Sequence, residues 1–434
     1  MPKQYRTYNP NQPFLLPPSL TDWLPKDHVV YLLSDLVNQL DLRTIEESYE
    51  KELRGQPPFH PRMMVKVLVY AYCSGVFSSR RIERRVQEDV AFRILAANNM
   101  PDFRTICKFR RRHLEAFSQL FGQVLVMCAE AGLVKLGHVS LDGTKILASA
   151  SKHKAMSYAR MRQEEERLSK EIEELLAKAE RLDKHEDRQY GDRRGDELPE
   201  ELTIREKRLE RIRQAKKALE ERRRGEGKDG PPKDSDQQNF TDPESRIMRT
   251  ADKTFEQCYN AQIIVDSDSQ VIVAEGVSQN SADVGHLQEM VWTAIESMGC
   301  KPRKLAADAG YFSKQNVEFL RRLGIKAFIP PDKIKHGRRP ALGPRGRIPE
   351  DLSTAGLMRR RLATKRGREG YKPRMKSVEP VFGQIKAAQG FRRFSLRGFT
   401  RVQGEWALVC LCHNLRKLLA NSAKCGPTAG LIPA

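Results

Sequence analysis

Three acidic residues, far apart in the sequence, each lie in a setting that suits a metal ligand. Asp142 ends an apolar run in HVSLDGTKI, Asp308 ends another in RKLAADAGYF, and Glu379 opens a predicted helix in SVEPVFGQIK. A carboxylate just past a buried strand is fixed in direction yet reaches solvent, so two strands and one helix can bring three such groups together around hard cations. This arrangement would suit phosphodiester chemistry.

Two Mg²⁺ ions are the cofactor that such a trio predicts. Two divalent ions about 3.5 to 4 Å apart can activate a water and stabilise the leaving oxygen during an in-line displacement at phosphorus. We expect Asp142 to bridge the ions, Asp308 and Glu379 each to hold one side, and Mn²⁺ to substitute. Each acid alone is a weak signal, because Asp142 with Gly143 is also a common turn sequence and Asp308 could simply end its strand.

Four other aspartates compete with these acids by residue type alone. Asp252 is one of them, and Asp266 and Asp268 fall in a predicted hairpin loop. Asp283 is better explained as the cap of a helix.

The overall charge favours a nucleic-acid partner. Lys and Arg total 77 against 56 Asp and Glu, a net charge of +21. Contacts from Lys and Arg to phosphates release counterions, so an excess of this size favours a polyanion, although a merely basic soluble protein remains an alternative. The length of 434 residues predicts two or three domains. We expect a cytoplasmic protein. The N-terminus is basic and lacks an apolar core, there is no long apolar stretch, and the eight cysteines include no C-x-x-C pair.

Residues 1–130 predict a helical, DNA-binding domain. The run VVYLLSDLVNQL has helical spacing with Asp27 placed to cap it, and a second periodic stretch follows Ser78. A break at 98–101 leads into the basic helix DFRTICKFRRRH, which is the outline of a helix-turn-helix. We expect DNA contacts from the basic cluster of this helix rather than a solvated face on a core helix. Its members are Lys108, Arg110, Arg111 and Arg112.

Residues 131–420 have the pattern of an α/β domain, with a mixed sheet flanked by helices. The stretch 152–250 interrupts it with apolar residues at coiled-coil spacing, predicting a helical hairpin that serves as a structural or oligomerising arm, followed by a flexible linker. Within 333–376, 15 Lys and Arg face three Asp and Glu, which favours contact with DNA beside Glu379. Residues 421–434 are a C-terminal tail.

The chain resembles the DDE transposases of bacterial insertion sequences, with an InsH-type N-terminal domain and an RNase H-like catalytic domain. The resemblance runs from about residue 15 to 415. It is carried by FHPRMMVKVLVYAYCSGVFSSRRIE and PDFRTICKFRRRH, by LDGTKILASAS and ADAGYFS at the first two acids, and by YKPRMKSVEPVFGQIK with FRRFSLRG at the third.

This resemblance implies further site residues around the third acid. The family's Tyr, Arg, Glu, Lys signature corresponds to Tyr371, Arg374, Glu379 and Lys386, with one extra residue between Arg374 and Glu379, so that Arg374 or its basic neighbours would contact a phosphate. Pro380 fits the first turn of a helix. Lys386, seven residues after Glu379, would then share its face and reach a DNA phosphate.

The resemblance also implies a function. We expect an enzyme that binds the inverted-repeat ends of its own element, cuts double-stranded DNA there and joins the freed 3′-hydroxyl to target DNA, acting as a homodimer. A nuclease of the same fold without strand transfer and a domesticated DNA-binding protein are the alternatives.

Overall fold

In the computed structural model, the described residues are 19–50, 57–151, 154–190, 200–225, 227, 230–333, 348–349 and 351–425. From residue 29 to residue 130 most of the described residues lie in α-helices. These helices are α1 (Val29–Asn38), α2 (Arg43–Glu50), α3 (Pro61–Cys73), α4 (Ser79–Glu88), α5 (Val90–Leu95), α6 (Phe103–Arg112) and α7 (Leu114–Glu130).

Two helix boundaries in this half differ from the sequence prediction. The side chain of His28, and not that of Asp27, caps α1, because its Nδ1 accepts a hydrogen bond from the Val30 amide at 3.2 Å. The periodic stretch after Ser78 is two helices, since Asp89 ends α4 and its Oδ1 accepts the Ala91 amide at 2.9 Å to begin α5. A polar side chain that bonds the backbone can thus divide a continuous apolar pattern.

A mixed six-stranded sheet lies between residue 139 and residue 328. Its strands are β1 (Val139–Leu147), β4 (Arg246–Arg249), β5 (Phe255–Asp266), β6 (Ile272–Ser278), β7 (Lys304–Ala307) and β8 (Lys326–Phe328). Their order is β4, β5, β1, β7, β8, with β6 also paired to β5. β5 is antiparallel to β1, β4 and β6, whereas β1, β7 and β8 run parallel.

Helices pack on both faces of this sheet. They are α10 (Leu287–Met298), α11 (Lys314–Arg322), α12 (Thr354–Ala363), α13 (Lys365–Tyr371), α14 (Pro373–Gly383) and α15 (Phe399–Cys425). Gly299 ends α10 in the left-handed conformation at φ 64°, as its position in the sequence predicts. The predicted fold class, an RNase H-like mixed sheet flanked by helices and preceded by a helical half, is confirmed.

The insertion is a helical arm with its own apolar core. β2 (Ala155–Ser157) leads into α8 (Tyr158–Tyr190), and α9 (Glu200–Gly225) returns to β3 (Gln237–Asn239), which pairs with β2. Buried apolar side chains from α8 and α9 form a cluster separate from the main core, here called the arm cluster. Its members are Tyr158, Met161, Leu168, Ile172, Leu209, Ile212, Ala215 and Leu219. Leu182 and Leu202 also fit the coiled-coil spacing, but their side chains lie outside the described residues.

Two predictions about this insertion need correction. The end of the predicted flexible linker is ordered, because β3 pairs with β2 and the Asp236 carbonyl accepts the Tyr158 amide at 2.8 Å. The insertion also ends before residue 250, since β4 at Arg246–Arg249 belongs to the main sheet. Gly and Pro content predicted a linker, but these pairings with distant strands determine its structure.

One hydrophobic cluster joins the helical half to the sheet. Buried residues from α1 to α15 belong to it, and α15 packs against α3, α7 and β6. At the junction the Tyr72 hydroxyl donates to Glu405 Oε1 at 3.0 Å and accepts from Arg110 Nη1 at 2.9 Å. A buried charged network of this kind is costly to break, because each group left behind would lack a partner. None of the described helices is long and apolar enough to cross a membrane.

Candidate active site

Asp142 lies in the middle of β1 and not past its end. β1 continues to Leu147, and Asp142 pairs with Ile263 of β5. The prediction of a strand ending at Asp142 was wrong because the polar residues that follow still pair with β5. Gly143 is accordingly no turn residue: a methyl group placed on it would overlap the Gln262 amide, so glycine permits this close approach.

Asp308 directly follows β7, as the sequence predicts. Its Oδ1 accepts the Gly310 amide at 2.9 Å and so begins a 3₁₀ turn over Ala309–Tyr311. Leu141 of β1 pairs with Ala307 of the parallel strand β7. The next residues of the two strands are Asp142 and Asp308, which are therefore neighbours at the end of this pairing.

Glu379 lies inside α14 rather than at its start. The first-turn proline is Pro373, whereas Pro380 is internal to the helix. A proline inside a helix leaves the carbonyl four residues earlier without its usual donor. Here the Lys376 carbonyl accepts instead from Gln270 Nε2 at 2.9 Å, which allows α14 to continue through Pro380.

Arg374 connects the first and third acids. Its Nη2 lies 2.8 Å from Asp142 Oδ2, and its Nη1 lies 2.9 Å from Glu379 Oε1. The Arg374 side chain is 12% exposed, and its Nε is buried without a hydrogen-bond partner among the described residues. The guanidinium therefore offsets one of the two negative charges and reduces the repulsion between Asp142 and Glu379.

The electrostatics of the site depend on burial and on these charges. Burial raises the pKa of Asp142 to about 6, a shift that Arg374 opposes and Asp308 reinforces. Burial also raises the pKa of Tyr371, the last residue of α13, again opposed by Arg374 and reinforced by the three acids. Asp142, Asp308, Glu379, Arg374 and Tyr371 thus share one electrostatic environment, which local sequence spacing alone could not establish.

Two family models match this chain. Residues 18–112 match a transposase domain, DUF772, and residues 205–415 match the transposase DDE domain. The chain belongs to the DDE transposases. The second match includes Asp308 and Glu379 but starts within α9, so Asp142 lies outside it. A search of curated proteins and a search of solved structures each found no match.

Lys386 of the transposase points to β1 and not to the surface. The helical geometry changes after Gly383 to a π-helical turn over Gln384–Ala388. From this turn, Lys386 Nζ donates to Thr144 Oγ1 at 2.6 Å and to the Lys145 carbonyl at 2.9 Å, and burial lowers its pKa. Thr144 shares a face of β1 with Asp142, so Lys386 adds a positive charge beside the first acid.

The three acids are of a residue type that suits a hard cation, but their side chains do not form a metal-binding cluster. Carboxylate oxygens are the ligands that Mg²⁺ prefers, and the buried charge of Asp142 would be stabilised by a nearby cation. Among the residues that the structure describes, no group of three His, Cys, Asp or Glu side chains could hold a metal ion. Arg374 contacts Asp142 Oδ2 and Glu379 Oε1, so these two oxygens would become free for a cation only after Arg374 has released them.

The predicted DNA-contacting cluster on α6 divides in two. Lys108, Arg111 and Arg112 are exposed, with Arg112 Nη2 donating to the Ser48 carbonyl at 2.7 Å. Arg110 is only 3% exposed, because it belongs to the network with Tyr72 and Glu405. The prediction of a DNA contact from Arg110 is therefore wrong in this conformation, since its charge lies in the protein interior.

The exposed part of this cluster borders a basic groove, which sequence reasoning missed. Two adjoining depressions, of about 690 and 610 Å³, share Arg111, Arg112 and Arg401. The groove joins α6 to the segment that starts α15, about 290 residues later in the chain. Its basic residues are Arg104, Lys108, Arg111, Arg112, Arg397 and Arg401.

Asp283 was also misjudged from the sequence. Its side chain makes no capping hydrogen bond, because a 3₁₀ turn over Val284–His286 separates it from α10. Instead its Oδ1 accepts from Asn260 Nδ2 at 2.7 Å and Gln262 Nε2 at 3.0 Å, and lies 3.3 Å from Lys145 Nζ. These partners lie on β1 and β5, far away in the sequence, so no local signal indicates them.

The raised pKa of Asp142 predicts that the transposase gains stability when this charge is removed. A buried acid with a folded pKa of about 6 and an ordinary value of 3.8 binds more protons in the folded state, so stability falls as pH rises from about 4 to about 6. Asp142→Asn should therefore raise the free energy of unfolding at pH 7.5 by up to about 3 kcal/mol, and by much less near pH 4.

Urea unfolding at the two pH values measures this effect. Asp332→Asn is the control, because Arg359 lowers the pKa of that exposed carboxyl. The contribution of Asp332 to the free energy of unfolding therefore changes with pH in the direction opposite to that of Asp142. Equal stability of Asp142→Asn and the parent at both pH values would contradict the prediction.

Proposed function

We propose that this transposase binds the inverted-repeat ends of its own insertion sequence, cuts the DNA there and joins the freed 3′-hydroxyl to target DNA. The proposal is supported by Arg374, which contacts both Asp142 and Glu379, and by the pairing of β1 with β7, which makes Asp142 and Asp308 neighbours. Asp142 comes from the middle of β1, Asp308 from the end of the adjacent strand β7, and Glu379 from α14, which packs on β1. One such site serves both steps, because each is an in-line attack of an oxygen on phosphorus.

Asp142, Asp308 and Glu379 are proposed to hold two Mg²⁺ ions, with Mn²⁺ able to substitute. When bound, such ions activate the attacking oxygen and stabilise the leaving oxygen. Arg374 compensates the charges of Asp142 and Glu379 beforehand and is proposed to contact a phosphate of the DNA once it has released them. Tyr371 borders the same acids, and Lys386 keeps positive charge at β1 beside Asp142.

Double-stranded DNA is the proposed partner, with its backbone in the basic groove. Lys108 and Arg111 on α6 face Arg401 on α15 across this groove, so that both halves of the chain contact one ligand. Backbone contacts of this kind position a protein on DNA, whereas base contacts specify the sequence. Two element ends must be held together for strand exchange, which supports a homodimer in the active complex.

The salt dependence of binding tests the groove. Combined replacement of Lys108, Arg111 and Arg401 by Ala is expected to weaken binding of an element end and to reduce the slope of log K against log salt by about 2.7, at about 0.9 per lost phosphate contact. The measurement is a fluorescence anisotropy titration between 50 and 200 mM salt, a range of about fourfold over which such contacts dominate.

A matched triple variant on α11 controls for the loss of charge alone. Lys314, Arg321 and Arg322 are exposed basic residues outside the groove, and their replacement by Ala should leave the slope nearly unchanged. Equal slopes for the two triple variants would show that DNA does not lie in the groove. Arg110→Ala should instead destabilise the fold, because Tyr72 loses a buried donor and Glu405 loses a nearby positive charge.

Incubation of labelled element-end DNA with Mg²⁺ tests the activity. Nicked product at the repeat boundary would support an enzyme, and its joining to a second duplex would support a transposase over a nuclease that only cuts. Binding without either product would leave a domesticated DNA-binding protein as the function.

A further inference from the structure

Asp283 connects residues on two strands beside the proposed active site. One oxygen, Oδ1, accepts hydrogen bonds from Asn260 and Gln262 of β5 and forms an ion pair with Lys145 of β1. Asn260 pairs with Lys145, and Gln262 pairs with Gly143, in the β1–β5 register. Asp283 therefore contacts two cross-strand pairs, separated by one pair, of the strand that carries Asp142.

These contacts lie on the opposite face of the sheet from Arg374. Successive residues of a strand point to opposite faces, so Gly143 and Lys145 face away from Asp142. Asp142 bonds Arg374 of α14, whereas a methyl group on Gly143 would lie 3.0 Å from Asp283 Oδ1. α14 and the Asp283 carboxylate thus hold β1 from its two faces.

The same carboxylate also adjoins the turn that carries Asp308. A methyl group on Gly310 would lie 3.0 Å from Asp308 Oδ1 and 3.4 Å from Asp283 Oδ2. Gln262, whose amide nitrogen donates to Asp283, accepts through its Oε1 a hydrogen bond from the Tyr311 hydroxyl. Asp283 is therefore linked to the Asp308 turn both by direct proximity and through Gln262.

A buried amide holds the two segments together. Asn316 Nδ2 donates to the Val284 carbonyl at 2.8 Å and to the Tyr311 carbonyl at 2.9 Å. Asn316 is 3% exposed and Gln262 is 1% exposed. Because a buried polar group that loses its partner costs about 1 to 3 kcal/mol, this network resists displacement of the Asp308 turn relative to β1.

We propose that Asp283 is a positioning residue of this transposase, which sets the place of Asp308 relative to Asp142 through Gln262, Tyr311 and Lys145. The inference rests on the proposed metal-dependent function. Groups that orient metal ligands typically change metal affinity or activity by about 10- to 100-fold when they are replaced. Asp283 acts in this way without being one of the three proposed ligands.

Asp283→Asn is the decisive variant, because it keeps an acceptor for Asn260 and Gln262 but removes the charge that faces Lys145. With full-length protein bound to an element-end duplex, Mn²⁺ affinity measured by electron paramagnetic resonance should fall about 10- to 100-fold. The Mg²⁺ concentration for half-maximal cleavage should rise, and saturating Mg²⁺ should restore part of the rate. End binding and the melting temperature should change little.

Glu318→Gln on α11 is the matched control, since it removes an exposed carboxylate of the same half of the chain. The proposal would be overturned if Asp283→Asn bound Mn²⁺ and cleaved DNA as well as the parent protein does. If Asp283→Asn does not fold, Tyr311→Phe is the variant to test, because it removes only the hydroxyl that donates to Gln262. An unchanged Mn²⁺ affinity of Tyr311→Phe would also contradict the proposal. If the parent binds Mn²⁺ but does not cleave, the proposed function fails, while the comparison of affinities still tests Asp283.

Discussion

Asp142→Asn, Asp308→Asn and Glu379→Gln are each expected to reduce cleavage of a labelled element end by about 1,000-fold or more. Metal ions contribute several kcal/mol to stabilising the transition state, and each tenfold in rate corresponds to about 1.4 kcal/mol. An amide keeps the shape of the carboxylate but loses the charge that would hold a cation. Binding of the element end should remain nearly intact, because the basic groove is untouched. Single-turnover cleavage with Mg²⁺ and a mobility shift measure the two properties.

Asp268→Asn is the control for these three variants. Asp268 is an exposed aspartate at the start of the turn from β5 to β6 and competes with the site acids by residue type only. Its replacement should leave cleavage at the level of the parent. If any one of the three site variants also cleaves at nearly the parental rate, that residue is not a metal ligand.

Removal of the arm is expected to prevent assembly of two element ends into one complex while the rest of the protein folds. β2 and β3 pair so that Ser157 faces Gln237, and an Asn-Gly turn replacing residues 158–236 would close them into a two-residue hairpin. The whole arm cluster lies within the deleted residues, so its loss leaves the main core intact. The arm's ion pairs mix both charge signs, as in Arg213 with Glu165, which makes it a poor ligand for phosphate.

The measurements for this variant are thermal melting, a mobility shift with one end and assembly with two ends. A shorter deletion that replaces 178–203 by a Gly/Ser linker keeps every member of the arm cluster and separates the role of the arm tip from that of its base. Loss of cooperative melting would show that the core requires the arm. Normal assembly of paired ends without residues 158–236 would show that the arm is dispensable for it.

Local sequence patterns were sufficient to predict most of the secondary structure and the class of the fold. Apolar periodicity predicted most of the helices before residue 130 and the α/β pattern that follows, because each pattern is local and repeats within a few residues. Asp308 was predicted at its position for the same reason, since the apolar run before it is the strand β7. The coiled-coil spacing of the insertion likewise indicated two helices that pair with each other.

The contacts between side chains of different elements could not be predicted from these local patterns. Arg374 meets Asp142 across 232 residues of sequence, and Asp283 meets Lys145 across 138, so neither pair has a local pattern. Arg110 and Arg111 are neighbours on one helix, but Arg110 is buried against Tyr72 and α15, whereas Arg111 is exposed. Local sequence restricts a residue to a helix or a strand, whereas the burial and charge that surround its side chain depend on distant segments that meet only when the chain folds.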